Sequence, residues 1–164
     1  MSSQPPYVLQ QETAFEKGRG VSRVEIQGGF AQIDVSELPE PTGQDRLEVL
    51  RAVAEAGISV DFVKLAPAGV TFLVEEAKAP ATESVLSDLN VKACVTHQQS
   101  IVLVHAVNMR DEEGLLAKVV SLAIGTSAPI DHLADMHDQL LIVTNHQGAR
   151  TIADAVTADR GESQ

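Results

Sequence analysis

The sequence predicts an α+β fold: two tandem ferredoxin-like βαββαβ units, each an antiparallel sheet covered on one face by helices. Three observations predict it. Between residues 21 and 158 the apolar pattern switches repeatedly between a period of two and one of about three and a half, marking strands and helices in turn. The order strand, helix, strand, strand, helix, strand is met twice, which is the split βαβ motif with helices on one face. The glycines that end two of the helical stretches, Gly57 and Gly125, stand 68 residues apart (57 to 125), as they would in two copies of one unit.

In the first copy, Arg23 to Ile26 and Phe30 to Val35 alternate apolar and polar on either side of Gly28-Gly29, which reads as a hairpin or a bulged strand. Thr42-Gly43-Gln44-Asp45 has the form of a capping box. Leu47, Leu50, Val53 and Ala54 then fall on one helical face, and Gly57 is the stop. Ile58 to Val63 and Val70 to Val74 read as strands joined through Pro67-Ala68-Gly69. A helix over Thr82 to Leu89 turns Val85, Leu86 and Leu89 inward, and Val91 to Val95 leaves it as a strand.

In the second copy Ser100 to Val107 is a strand and Asp111 a candidate N-cap. Leu115, Leu116, Val119, Leu122 and Ala123 form the stripe of the next helix. Ile130 to Leu133 and Gln139 to Thr144 are two further strands. Asn145 caps a closing helix whose Ala149, Ile152, Ala153 and Val156 face inward. The expected organisation is an N-terminal arm over 1–20, unit one over 21–90, unit two over 91–158 and a frayed tail over 159–164. Both units have strand edges to cover, so side-by-side joining of the units and a homodimer are expected.

Charge narrows the function. Lys+Arg 12 against Asp+Glu 23 gives a formal net charge of -11, a field that repels nucleic acid and anionic lipid. Aromatic residues at 3% are too few for base-stacking platforms. No apolar run reaches the ~18 residues of a membrane span, and Met1-Ser-Ser-Gln-Pro-Pro has neither the basic start nor the apolar stretch of a secretory signal, so the expected compartment is the cytoplasm. Cys94, the single cysteine, is expected to be a small buried hydrophobe.

Chemistry-bearing clusters are few. Asp131-His132-Leu133-Ala134-Asp135-Met136-His137-Asp138, with His146 nearby, has metal-ligand residue types. However, His132 and His137 are five apart, on opposite faces of a strand and out of helical register, so a polar hairpin is expected and no metal. Its imidazoles would make the region responsive to pH. Cys94 and His97 lack an oxyanion loop, and the glycine pairs lack phosphate-loop spacing. Neither a catalytic residue nor a cofactor is expected.

Two stretches resemble the ACT-domain family, and the likeness over residues 21 to 158 is to the tandem regulatory region of aspartokinases. Ala52-Val53-Ala54-Glu55-Ala56-Gly57-Ile58-Ser59-Val60-Asp61-Phe62 is similar to the family's helix end, turn and Ile-x-Val-Asp strand. Val107-Asn108-Met109-Arg110-Asp111-Glu112-Glu113-Gly114-Leu115-Leu116-Ala117-Lys118-Val119 resembles its Gly-x-Met, short-gap, Gly-Val-x-x-Lys/Arg-Val pattern, with Met109, Gly114 and Lys118 matching. The loop before the first helix, Glu40-Pro41-Thr42-Gly43-Gln44-Asp45, keeps the family's acid, Pro and Gly at altered spacing.

The resemblance implies a non-catalytic, allosteric module that binds a small amino acid or related metabolite at an interface between units. Its ligand residues would be Thr42, Gly43, Gln44 and Asp45 in the first unit, and Asn108, Met109, Arg110, Asp111 and Gly114 in the second. A separate metabolic enzyme is then a possible partner. The competing expectation is a protein-interaction or assembly module of the same fold without a small ligand.

Overall fold

The computed structural model describes residues 20–38, 43–107, 109 and 112–162. In chain order these are β1 (Val21–Ser36), α1 (Gln44–Glu55), β2 (Phe62–Ala66), β3 (Gly69–Glu75), a single 3-10 turn (Glu76–Lys78), α2 (Ala79–Asp88), β4 (Lys92–Ala106), α3 (Leu115–Gly125), β5 (His132–Met136), β6 (Gln139–Asn145) and α4 (His146–Glu162). The six strands make one antiparallel sheet in the order β2-β3-β1-β4-β6-β5. The fold is α+β, as the sequence predicts, and the two units are joined side by side through β1 and β4.

Both central strands are long enough to serve two half-sheets. The second half of β1 pairs with β3, while its first half meets only β4; β4 pairs with β6 only through its second half, Gln99 to His105. One half-sheet is therefore β2-β3-β1-β4 and the other β5-β6-β4-β1, each using a different half of the shared strands. Gly28-Gly29 is the bulge and not a hairpin, with Gly29 at φ 87; β4 answers it at Gln98, φ 58. A left-handed residue is what a bulge of this kind requires, and glycine adopts it without a side-chain clash.

The paired bulges reverse the alternation of side chains on both strands. On β1 the helix-facing set changes from Val24 to Ala31, Ile33 and Val35; on β4 it changes from Val95 to Val102, Val104 and Ala106. All four helices consequently pack on one face. Val49 and Val53 of α1 and Ala79 and Leu86 of α2 close one core over Ile33, Phe72 and Val74. Leu115, Val119 and Ala123 of α3 and Ala149, Ile152 and Val156 of α4 close the other over Val102, Val104 and Ile142.

A third buried cluster contains strand residues only: Phe30, Leu73, Ile101 and Val143, flanked by Phe62, Leu103 and Leu141. Apolar groups on the face away from the helices are buried here because the sheet bends across itself at the bulges, as strands do when they turn a corner between packed sheets. The bend brings the outermost strands together: the rings of Phe62 on β2 and His132 on β5 lie 5.2 Å apart. These two positions are equivalent in the repeat.

The repeat itself is 70 residues, not 68. β2 and β5 start 70 apart (62 to 132), as do β3 and β6 (69 to 139). Asp61 N–H donates to the Leu73 carbonyl at 3.0 Å and Asp131 N–H to the Val143 carbonyl at 2.9 Å. Gly57, φ 72, does end α1, but Gly125 lies inside α3 and the left-handed position after that helix is Ser127, φ 59.

Four other expectations change. The inward stripe of α1 is Arg46, Val49 and Val53, with Leu47 46% exposed and Leu50 half-buried. The strand expected from Ile58 begins only at Phe62, and Val91 to Val95 and Ser100 to Val107 merge into the single strand β4. Cys94 is exposed, because the first half of β4 is a sheet edge and its side chain shares the Asp34 face, away from the helices.

Candidate functional site

Each candidate set surrounds the start of a helix. In α1 the N-cap is Gly43, with φ 89 and ψ 5; in α3 it is Gly114, with φ 79 and ψ -7. The N-cap positions are thus left-handed glycines; the capping box expected from Thr42 and the N-cap expected at Asp111 rest on residues outside those described. The Gly43 carbonyl accepts from Leu47 N–H at 3.0 Å, and the Gly114 carbonyl from Lys118 N–H at 2.8 Å. A helix start without a side-chain cap presents its first N–H groups outward, where they favour an anionic group such as a carboxylate.

Gln44 is exposed and Asp45 half-buried, and both follow Gly43 in the first turn of α1. Met109 differs from a ligand contact in one respect: its side chain is 1% exposed and belongs to the core beneath α3 and α4. Thr42, Asn108, Arg110 and Asp111 lie outside the described residues. His132, His137 and Asp138 belong to a hairpin as expected, and no group of three or more metal-ligand side chains gathers among the described residues.

Arg46 is the residue of this region that sequence reasoning missed. It is buried, and its Nε donates to the carbonyls of Ala66 at 3.0 Å and Gly69 at 3.1 Å. Its Nη2 donates to Ala66 at 2.8 Å and to Pro67. The start of α1 is thereby fastened to the β2–β3 turn, which Leu38 N–H also binds through the Ala68 carbonyl at 2.9 Å. The signal was available: Arg46, Val49, Leu50 and Val53 have helical spacing, and a long side chain can occupy an apolar stripe when its head finds acceptors. At the second site the Ala106 N–H binds the Asp138 carbonyl of the β5–β6 turn at 3.0 Å.

Gly43 and Gly114, the described helix starts of the two sets, follow strands that run in opposite directions. Gly43 follows the end of β1 and Gly114 the end of β4, and these antiparallel strands run past each other from Val21 opposite Ala106 to Ser36 opposite Lys92. Along the strand path the ends of β1 and β4 lie roughly 50 Å apart at about 3.3 Å per residue.

No family model matches the chain. It is 29% identical over 122 residues to aspartokinase 1 of Bacillus subtilis, a match covering 71% of this chain and 30% of that protein. The chain thus spans less than a third of the length of that curated relative. Among solved structures it is similar to the ligand-free regulatory subunit of aspartate kinase from Thermus thermophilus, with a TM-score of 0.77 and 22% identity, covering 85% of this chain and 97% of that one. It also resembles Escherichia coli aspartokinase III in complex with lysine and aspartate, with a TM-score of 0.70 and 13% identity, over 88% of this chain and 34% of that one. The fold is that of the regulatory regions of aspartate kinases: tandem ACT-like units of the ferredoxin type.

Proposed function

We propose that this chain is a regulatory module of the aspartokinase type, without chemistry of its own, that binds a small amino acid between two copies and passes its occupancy to a kinase. The observation that carries the reading is the pair of helix starts with a left-handed glycine at the N-cap, Gly43 and Gly114, placed equivalently in the two units. Their N–H groups would hold the effector's carboxylate. Since the sets lie at opposite ends of the β1–β4 ladder, the module would act as a homodimer in which the first unit of one copy meets the second unit of another. That a solved aspartokinase of the same fold was captured with lysine and aspartate supports an amino acid as the ligand class.

The test is a thermal-shift screen of the purified chain against the twenty amino acids and their biosynthetic intermediates, with hits checked by calorimetry. A ligand at ~100 times its dissociation constant stabilises by about 2.7 kcal/mol, several degrees for a domain of this size. One selective amino acid is the expected result, and a flat panel would overturn the effector reading.

A second reading is favoured by the outer strands. Val63 and Leu65 on β2, and Leu133 and Met136 on β5, are exposed, as is Ile124 on α3. Apolar side chains beside an open edge suit docking of another protein without any small ligand. A flat amino-acid panel with a stable complex between the chain and an aspartate kinase would select it.

A further inference from the structure

The contact between Phe62 and His132 is the point where the sheet closes on itself. Phe62 sits opposite Leu73 and His132 opposite Val143, at equivalent places in the two repeats, and Leu73 and Val143 are both fully buried. One repeat therefore supplies a phenyl ring where the other supplies an imidazole. The ring centroids are 5.2 Å apart with planes tilted by 32°. Both imidazole nitrogens are buried, and neither meets a hydrogen-bond partner among the described residues.

The charged groups around the ring come from both units. Lys64 on β2 opposes a positive imidazole, whereas Asp34 on β1 and Asp131, just before β5, favour one. Both carboxylates are already engaged. Asp34 accepts from Thr71 Oγ1 at 2.6 Å and from Gln32 Nε2 at 2.8 Å. Asp131 accepts from Gln99 Nε2 at 2.9 Å, with the Gln99 amide oriented to suit its neighbours. β4 and β6 contribute Gln99 and Val143 at this point, and among the described residues the charges that act on the ring are Lys64, Asp34 and Asp131. A neutral imidazole packs against Phe62 as an aromatic surface. A charged one brings a cation into the same dry contact with its counter-charges committed elsewhere.

We propose that the Phe62–His132 contact is a proton-operated latch between the two half-sheets, closed while the imidazole is neutral and released when it is charged. Burial of the ring, then Lys64, holds the imidazole below its ordinary range, with Asp34 and Asp131 opposing. Release frees β2 and β5, the outer strands, from each other while the cores beneath the helices stay intact. The latch does not depend on an amino-acid ligand.

NMR of the whole chain between about pH 5 and pH 8 tests it, following the imidazole signals of all five histidines together with the nuclear Overhauser effect between the Phe62 and His132 rings. The expected result is that His132 titrates below the ordinary imidazole range, and that the ring-to-ring effect disappears over the same pH range. In H132F the effect between rings should persist at every pH. Should H132F not fold, H132Q provides the second reading: the amide shifts of β2 and β5 should lose their pH dependence. A ring-to-ring effect that survives protonation of His132, or a pH-dependent separation of β2 from β5 that is unchanged in H132F or H132Q, would overturn the proposal.

Discussion

Arg46 holds the Ala66 carbonyl through two nitrogens of one guanidinium, Nε at 3.0 Å and Nη2 at 2.8 Å. A planar fork of donors can serve several carbonyls of one turn at once, whereas an ammonium is a point charge on a flexible stem. Arg46→Ala should destabilise the chain by roughly 1.5 to 3 kcal/mol or somewhat more, since charged hydrogen bonds are lost and buried carbonyls are left without donors. Arg46→Lys should recover only part of it. Urea denaturation followed by circular dichroism measures both, and wild-type stability in Arg46→Lys would mean that charge alone matters here.

Gly69 begins β3 directly against β1, where an added Cβ would overlap the Val35 carbonyl oxygen. The obstacle is backbone, which cannot swing aside as a side-chain end can. Gly69→Ala should therefore cost about 1 to 3 kcal/mol, the range for overpacking. Gly43→Ala, where the added methyl meets open space and only the positive φ opposes it, should cost roughly 1 to 2 kcal/mol. Comparing the two by chemical denaturation separates the steric effect from the conformational one.

Helices with a clean apolar stripe were legible: Ala149, Ile152, Ala153 and Val156 are all buried, and Asn145 Oδ1 accepts from Gly148 N–H at 2.7 Å as a cap should. Where a polar residue occupies an apolar stripe, as Arg46 does, periodicity alone turns the helix by a position and assigns Leu47 inward. The bend of the sheet was half legible, since Gly28-Gly29 announced a bulge but Gln98 is a non-glycine at positive φ with no signature. At the candidate site the turn glycines were found and their capping role was not. Left-handed Gly43 and Gly114 occupy the N-cap positions of α1 and α3.

Met109, which the resemblance implies as a ligand contact, is 1% exposed and packed in the core beneath α3 and α4. Met109→Ala should create a cavity under α3 and α4 and cost about 2 to 5 kcal/mol. Denaturation of the unliganded chain detects this directly. A variant as stable as the wild type would show that the side chain does not fill the core.

His132 sets the sign of one pH effect. Its pKa is lowered in the fold, first by burial and then by Lys64. The unfolded chain therefore binds the proton more readily. Above the ordinary imidazole pKa of about 6.5 both states are neutral and the stability is fully present. As pH falls from there through the lower folded value, stability is lost, and it levels off once both states are charged. Urea midpoints measured across this window should fall with acidity in the wild type and fall less in H132F, whose phenyl ring takes no proton. Equal slopes in the two proteins would assign the effect to other groups.

Assembly through the β2 edge gives the last expectation. Leu65 is 63% exposed on β2, whose outer backbone groups have no strand beside them among the described residues. A charge placed there disfavours strand pairing and apolar contact with a second copy while touching little in its own chain. Leu65→Glu should shift a dimer toward monomer in sedimentation velocity, with the unfolding midpoint of the dissociated chain within about 0.5 kcal/mol of wild type, as for other surface substitutions. If the proposed effector sits between copies, the same variant should also lose the ligand-induced thermal shift, although Leu65 is not itself a proposed ligand contact. A Leu65→Glu protein that remains dimeric and keeps that shift would move the interface away from β2, leaving β5 with its exposed Leu133 and Met136 as the edge to substitute next.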